Sequence, residues 1–212
     1  MPSDSYDYQA TIDEIMPGVI ADRRHLHQHP ELSFQEFETA AFVAERLEAL
    51  GLEDIKTRVG KTGVTGLIKG TGTNGSGNVL MLRADMDALP ILEENEVDYV
   101  SQNPGVMHAC GHDSHVSMLL GTTKVLMDRR GDFAGTVKIL FQPAEEGGGG
   151  AAAMRAAGAL ENPTVDAAMG IHIWQDVPCG DVWVREGTAM VGVTGFTITV
   201  NGKGGHGAHP EL

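Results

Sequence analysis

The chain is short of cysteine, of positive charge and of long apolar runs, and each shortage removes a class of protein. Two cysteines among 212 residues cannot build a disulfide framework. Lys and Arg number 15 against 29 Asp and Glu, and a net charge of -14 repels phosphate backbones and anionic bilayers. Nucleic acid and membrane surfaces are therefore excluded as expected partners. The segment Met1 to Arg24 alternates acidic and apolar residues and holds no signal-peptide core or transmembrane run, which makes a cytoplasmic address the default. A glycine-rich stretch, G-T-G-T-N-G-S-G from Gly70, lacks the lysine and the strand-to-helix setting of a nucleotide loop and reads as turn chemistry. No internal repeat is present.

What is there is a soluble globular composition, 42% hydrophobic and 21% charged, in a length that suits one large domain or one and a half. Into it is set one dense segment. Met107 to His115 reads M-H-A-C-G-H-D-S-H and holds one of the two cysteines with three of the nine histidines. Thiolate and imidazole together suit zinc or a neighbouring late first-row metal. Cys110 is thus better read as a metal thiolate, whereas Cys179, between Pro178 and Gly180, has no such company. The carboxylate pair Glu145-Glu146 and the isolated His172 each follow an apolar, strand-like run.

Periodicity predicts two opening helices. Thr11 to His29 carries Ile12, Ile15, Met16, Val19 and Ile20 at helical spacing and stops at Pro30. Ser33 and Glu36 spell a capping box for a second helix, with Phe37, Ala41, Ala44 and Leu47 on its apolar face and Gly51 after it. His25, His27 and His29 resemble a chelating cluster, but alternate residues on a helix point about 200° apart, so a structural or surface role is expected. Strands are then expected at Val64–Lys69, Val79–Leu82, Thr136–Phe141 and Ala167–Ile173. Between them lie helices at Ser114 to about Arg130, capped by Asp113, and at Ala151–Ala157. Alternation of this kind predicts an α/β fold: a mixed, mostly parallel sheet with helices on both faces. Asp85 and Asp87, and Glu145 and Glu146, fall just past strand ends, and His172 lies near the end of Ala167–Ile173, the edge where open α/β sheets bind ligands. Val182–Val184 and Gly195–Val200 look β-like and read as the start of a second, lid-like α+β domain. The expected division is a catalytic metal-binding domain over 1–186 and an incomplete lid over 187–212, so the chain reads as an N-terminal fragment.

Six segments run in one order along the chain: R-R-H-L-H-Q-H-P-E-L-S-F-Q-E from Arg23, R-A-D-M-D-A-L-P from Arg83, G-V-M-H-A-C-G-H-D from Gly105, F-Q-P-A-E-E-G-G-G-G from Phe141, G-I-H-I-W from Gly170 and G-K-G-G-H-G-A-H-P from Gly202. Together they resemble the metallo-aminoacylase and carboxypeptidase family, in the branch of hippurate hydrolases and indoleacetyl-amino-acid hydrolases. The resemblance implies a metal-dependent amidohydrolase of N-acyl amino acids that uses two divalent ions, Zn, Mn, Co or Ni. It implies Cys110, His112, Glu146 and His172 as ligands, with Cys110 bridging, and Glu145 as the general base for a metal-activated water. His206 matches a lid histidine that reaches the neighbouring subunit's site and stabilises the oxyanion, which implies a homodimer at full length. In the carboxypeptidase branch the place of Asp85 holds a ligating histidine; here no ligand role is assigned to Asp85, and Asp87 is expected to support the ligands by hydrogen bonding. His108 and His115 are expected to support their loop, and His209 is uninformative. Relatives continue past Leu212 with a final metal-binding histidine, so a catalytically silent metal-binding or dimerising fragment is the alternative.

Overall fold

The computed structural model describes residues 6–190, 192 and 194–209. The chain divides into two compact units, one running to Ile173 and one from Trp174. The first contains α1 (Tyr8–Gln28), α2 (Phe37–Ala49), β1 (Glu53–Val59), β2 (Gly63–Lys69), β3 (Val79–Asp85), α3 (His112–Asp128), β4 (Thr136–Gln142), α4 (Gly150–Ala156) and β5 (Ala167–Gly170). Among the described residues no helix is long and apolar enough to cross a membrane.

The five strands form one mixed sheet in the order β1-β2-β4-β3-β5. β3 runs parallel to both β4 and β5, from Val79↔Thr136 to Asp85↔Gln142 on one side and from Leu80↔Ala167 on the other. β1, β2 and β4 are antiparallel neighbours. The carboxyl ends of β3, β4 and β5 therefore share one edge, and β2 starts there, with Val64 opposite Phe141.

The central strand β4 is buried on both sides because both sides are covered, and its Val137, Ile139, Phe141 side is wholly apolar. Val137, Ile139 and Phe141 join Val64, Ile68 and Ala84 in a core closed by Val43 and Leu47 of α2 and Val116, Leu119 and Leu120 of α3. On the opposite face Leu140 packs with Met154 of α4 and with Ala159. Lys138 shares that face; its ammonium donates to the carbonyls of Ala159, Glu161 and Pro163 at 2.9–3.0 Å, so the buried charge ends on three oxygens of one loop. α1 packs on α3 at Gly121, where a Cβ would come within 2.8 Å of Val19 Cγ2.

Local expectation and structure part at several places, and the strand expected over Ala167–Ile173 ends at Gly170, where its pairing with β3 stops. The capping box does not form. The Ser33 hydroxyl donates to Asp87 and the Glu36 carboxylate turns inward, while Glu31 takes over the cap by accepting the N–H groups of Phe37, Glu38 and Thr39. On α2, Ala44 and Leu47 of the expected face are buried together with Ala40 and Val43, while Phe37 and Ala41 lie exposed. α3 starts two residues early, at His112 with Gly111 as its cap in the left-handed region, so Asp113 sits in the first turn and bonds elsewhere. β1 escapes the periodicity reading because only Ile55 and Val59 of its seven residues are even half-buried.

In the second unit Val182–Val184 and Gly195–Val200 are exposed and belong to no strand. A β-like side-chain pattern supplies faces but not the partner backbone that a strand's hydrogen bonds require. His206 and His209 form an isolated bridge within this unit, with the Ala208 N–H on His206 Nδ1.

Candidate metal centre

Each candidate group reaches the common sheet edge on a different element. β3 ends in Asp85 and continues to Asp87, α3 opens with His112 two residues after Cys110, the turn after β4 holds Glu145 and Glu146, and the chain leaving β5 holds His172. The structure brings the ligand atoms of Cys110, His112 and His172 within 4.8 Å of one another, and those of His112, Glu145 and Glu146 likewise. Cys110 Sγ lies 3.5 Å from His172 Nε2, and His112 Nε2 lies 3.7 Å from Glu146 Oε1.

Both imidazoles are oriented from behind. His112 Nδ1 donates to the Asp87 carbonyl at 2.8 Å, and His172 Nδ1 donates to the Ile173 carbonyl at 2.5 Å. In neutral rings this places the lone pair on Nε2, the atom each presents to the cluster, as metal-binding histidines are commonly arranged. His112 Nε2 is fully buried and has no hydrogen-bond partner, which a metal ion would remedy.

The electrostatics ask for a cation. Burial opposes charge on His112, but its Asp87 hydrogen bond and the charges of Asp85, Asp87 and Glu146 prevail and raise its pKa. Burial, then the hydrogen bond and charge of Glu146, push the Cys110 thiol up to about 12. A thiol in that setting keeps its proton at neutral pH until a divalent ion displaces it. The donors thus fit a borderline divalent metal by type, spacing and field.

Asp87 organises the acidic turn. Its carboxylate accepts the Glu145 and Glu146 N–H groups at 3.0 and 3.1 Å and the Ser33 hydroxyl at 2.7 Å. Burial would raise its pKa, but His112, Ser33 and those two amides bring it below the usual carboxylate value. Of the two glutamates, Glu146 is the one that meets both His112 and Cys110.

Asp85 is held by His115 Nδ1 at 2.6 Å and by Arg83 at 2.7 Å. His115 Nε2 in turn accepts the Ile173 N–H at 3.0 Å, so both ring nitrogens of His115 are engaged. His108 is buried with neither nitrogen hydrogen-bonded, and burial takes its pKa down to about 4.

Sequence reasoning missed the layer beneath α3. His27 is buried and binds Asp113 at 2.7 Å and Glu93 at 3.0 Å, with Arg23 also on Asp113 at 3.0 Å. The available signal was the four-residue spacing of Arg23 and His27, which puts both on one helix face. His206, expected to act at the site, belongs to the second unit, where its side chain is exposed.

An α/β sheet whose edge gathers a thiol, two imidazoles and two carboxylates is, in class, a scaffold fitted to hold a divalent metal. The chain belongs to peptidase family M20/M25/M40, whose model matches residues 81–208. It is 48% identical over 201 residues to an N-acyl-L-amino acid amidohydrolase of Geobacillus stearothermophilus, covering 94% of this chain and 53% of that protein. With an IAA-amino acid hydrolase ILR1-like 5 of Arabidopsis thaliana it shares 44% over 200 residues, 94% of this chain and 44% of the relative. The crystal structure of the Bacillus subtilis YXEP protein, a dinuclear metal-binding peptidase of the M20 family, matches with a TM-score of 0.72 and 43% identity over 78% of this chain and 45% of that one. The chain spans about half the length of the curated relatives it matches.

Proposed function

We propose that this chain carries the metal-binding and proton-transfer half of an amidohydrolase that cleaves N-acyl amino acids. The observation that supports it most is the convergence of donors from three separate segments, Cys110 with His112, Glu146, and His172, in two groups that share the unpartnered buried Nε2 of His112. The relatives named for N-acyl-L-amino acids and for indoleacetyl-amino acids favour the same substrate class.

The four donors would hold a pair of divalent ions, zinc, manganese, cobalt or nickel. Such a pair supplies Lewis-acid polarisation of the scissile carbonyl and acidifies a water molecule. Glu145, adjacent to the ligand Glu146 and within 4.8 Å of His112, would take the proton of the attacking water and return it to the leaving amine. Asp87 keeps the two glutamates in register by holding both their amides. His206 would stabilise the oxyanion from a lid domain over 187–212, across a homodimer in a cytoplasmic enzyme.

The test uses a version extended to the relatives' full length, loaded in turn with each metal and assayed for amine release from N-acetyl- and N-benzoyl-amino acids. Turnover that disappears in Glu145→Gln while metal content persists is the expected result. Tight metal binding without hydrolysis of any such substrate would overturn the assignment.

A further inference from the structure

We propose that the buried carboxylate of Glu36 is a positioning group that locks the turn bearing Glu145 and Glu146 and so sets the metal affinity of the centre; this rests on the metal-centre reading above. Glu36 lies 108 residues before Ala144 in sequence and is fully buried. Its Oε1 accepts two N–H groups, from Phe34 and from Ala144, each at 2.9 Å, and its Oε2 accepts the Thr62 hydroxyl at 2.5 Å. All three partners are uncharged donors. Burying a carboxylate against neutral donors is unfavourable compared with an apolar side chain of the same size, so packing alone does not account for it.

The conformation of its partners shows what the carboxylate does. Phe34 at φ 60° and Ala144 at φ 49° are both non-glycine residues in the left-handed region, and both point their N–H at the same oxygen. Such backbone persists only where its surroundings over-determine it. Ala144 immediately precedes the glutamate pair. The successive amides of Ala144, Glu145 and Glu146 thus end on two buried carboxylates, the first on Glu36 and the next two on Asp87. Thr62 precedes β2, whose Val64 pairs with Phe141 at the end of β4, so Glu36 also ties the turn to the sheet edge from which it springs. Asp87 alone would leave the turn hinged at Ala144. Glu36 removes that hinge and fixes where the Glu146 carboxylate stands relative to His112.

The 212-residue protein is titrated with Co²⁺, and both the thiolate-to-cobalt charge-transfer band and the d–d envelope are followed. Glu36→Met keeps the volume and removes the acceptor. It is expected to weaken Co²⁺ binding about 10- to 100-fold, the usual consequence of losing a group that orients a ligand. The charge-transfer band of Cys110 should persist while the d–d envelope changes as the carboxylate is lost. Glu36→Gln keeps an oxygen for both amides and turns its N–H toward the Thr62 hydroxyl, and it should restore affinity and spectrum. A purely structural loss would not show this combination of ligand-specific change and rescue. If far-UV circular dichroism shows that Glu36→Met does not fold, Glu36→Asp decides, since it keeps the charge and withdraws the oxygen by one methylene; weakened binding is again expected. A folded Met or Asp variant that binds cobalt as tightly as wild type, or a Gln variant as weak as Met, overturns the proposal. A wild-type protein with no charge-transfer band overturns the metal-centre reading itself and the inference with it.

Discussion

Asp85 Oδ1 and His115 Nδ1 stand 2.6 Å apart, and the other nitrogen of the same ring accepts the N–H of Ile173, the residue after His172. A strand end, a helix and the His172 segment are thereby joined through one imidazole. Burial would raise the Asp85 pKa, but the His115 hydrogen bond and the charge of Arg83 hold it well below the usual carboxylate range. Asp85 thus remains ionised and keeps the Nδ1 proton of His115 in place. His115→Phe should loosen the His172 segment and lower divalent-metal affinity about 10- to 100-fold without removing a ligand. Isothermal titration with Zn²⁺ measures this; unchanged affinity would dissociate His115 from the centre.

Cys110 offers a sharper test of ligand identity. Its thiol is pushed up to about 12 by burial and by Glu146, so a metal bound there must displace its proton. Cys110→Ser replaces a soft donor by a hydroxyl and should lose most bound metal on dialysis. Equal metal content in both proteins, by elemental analysis, would remove Cys110 from the site.

The adjacent glutamates should separate by phenotype in a full-length version. Glu145→Gln is expected to retain metal and to lose about 10²- to 10⁴-fold or more in amide hydrolysis, the contribution of a general base. Glu146→Gln is expected to lose metal first. Exchange of the two phenotypes would reverse the assigned roles.

His27 gives a pH dependence whose sign is fixed. Its hydrogen bond to Asp113 outweighs burial, Glu93 adds to it, and its pKa is raised above 6.5. A group with a raised folded-state pKa contributes stability in full below its unfolded value and loses it as pH rises through the folded value. Wild-type stability relative to His27→Gln should therefore be greatest below about pH 6.5 and decline as pH climbs above it. Urea midpoints of the metal-free proteins from pH 5.5 to 8.5, on the order of one unit apart, test this. A difference that grows with pH would contradict the pairing.

The sheet was readable from short apolar runs at Val64–Lys69, Val79–Leu82 and Thr136–Phe141, because β2, β3 and β4 bury much of their surface and side-chain burial selects such residues. β1 was not, since an edge strand of charged residues carries no burial signal. The Ser33–Glu36 box shows the limit of local reasoning. Its spacing is that of a cap, yet both side chains found partners far along the chain, Asp87 for Ser33 and Ala144 for Glu36.

By itself the sequence determined which candidate donor residues exist and that the glutamate pair and His172 lie by strand ends, because ligand chemistry is written in residue type and strand ends in local hydrophobic pattern. Tertiary structure alone decided what holds those donors in place. Glu36 clamps Ala144, His27 holds Asp113, and Asp85 reaches the His172 segment through His115. Each of these links joins residues between 30 and 108 positions apart. A carboxylate or imidazole can serve many donors and acceptors, and only the folded arrangement of sheet edge and helix start selects among them.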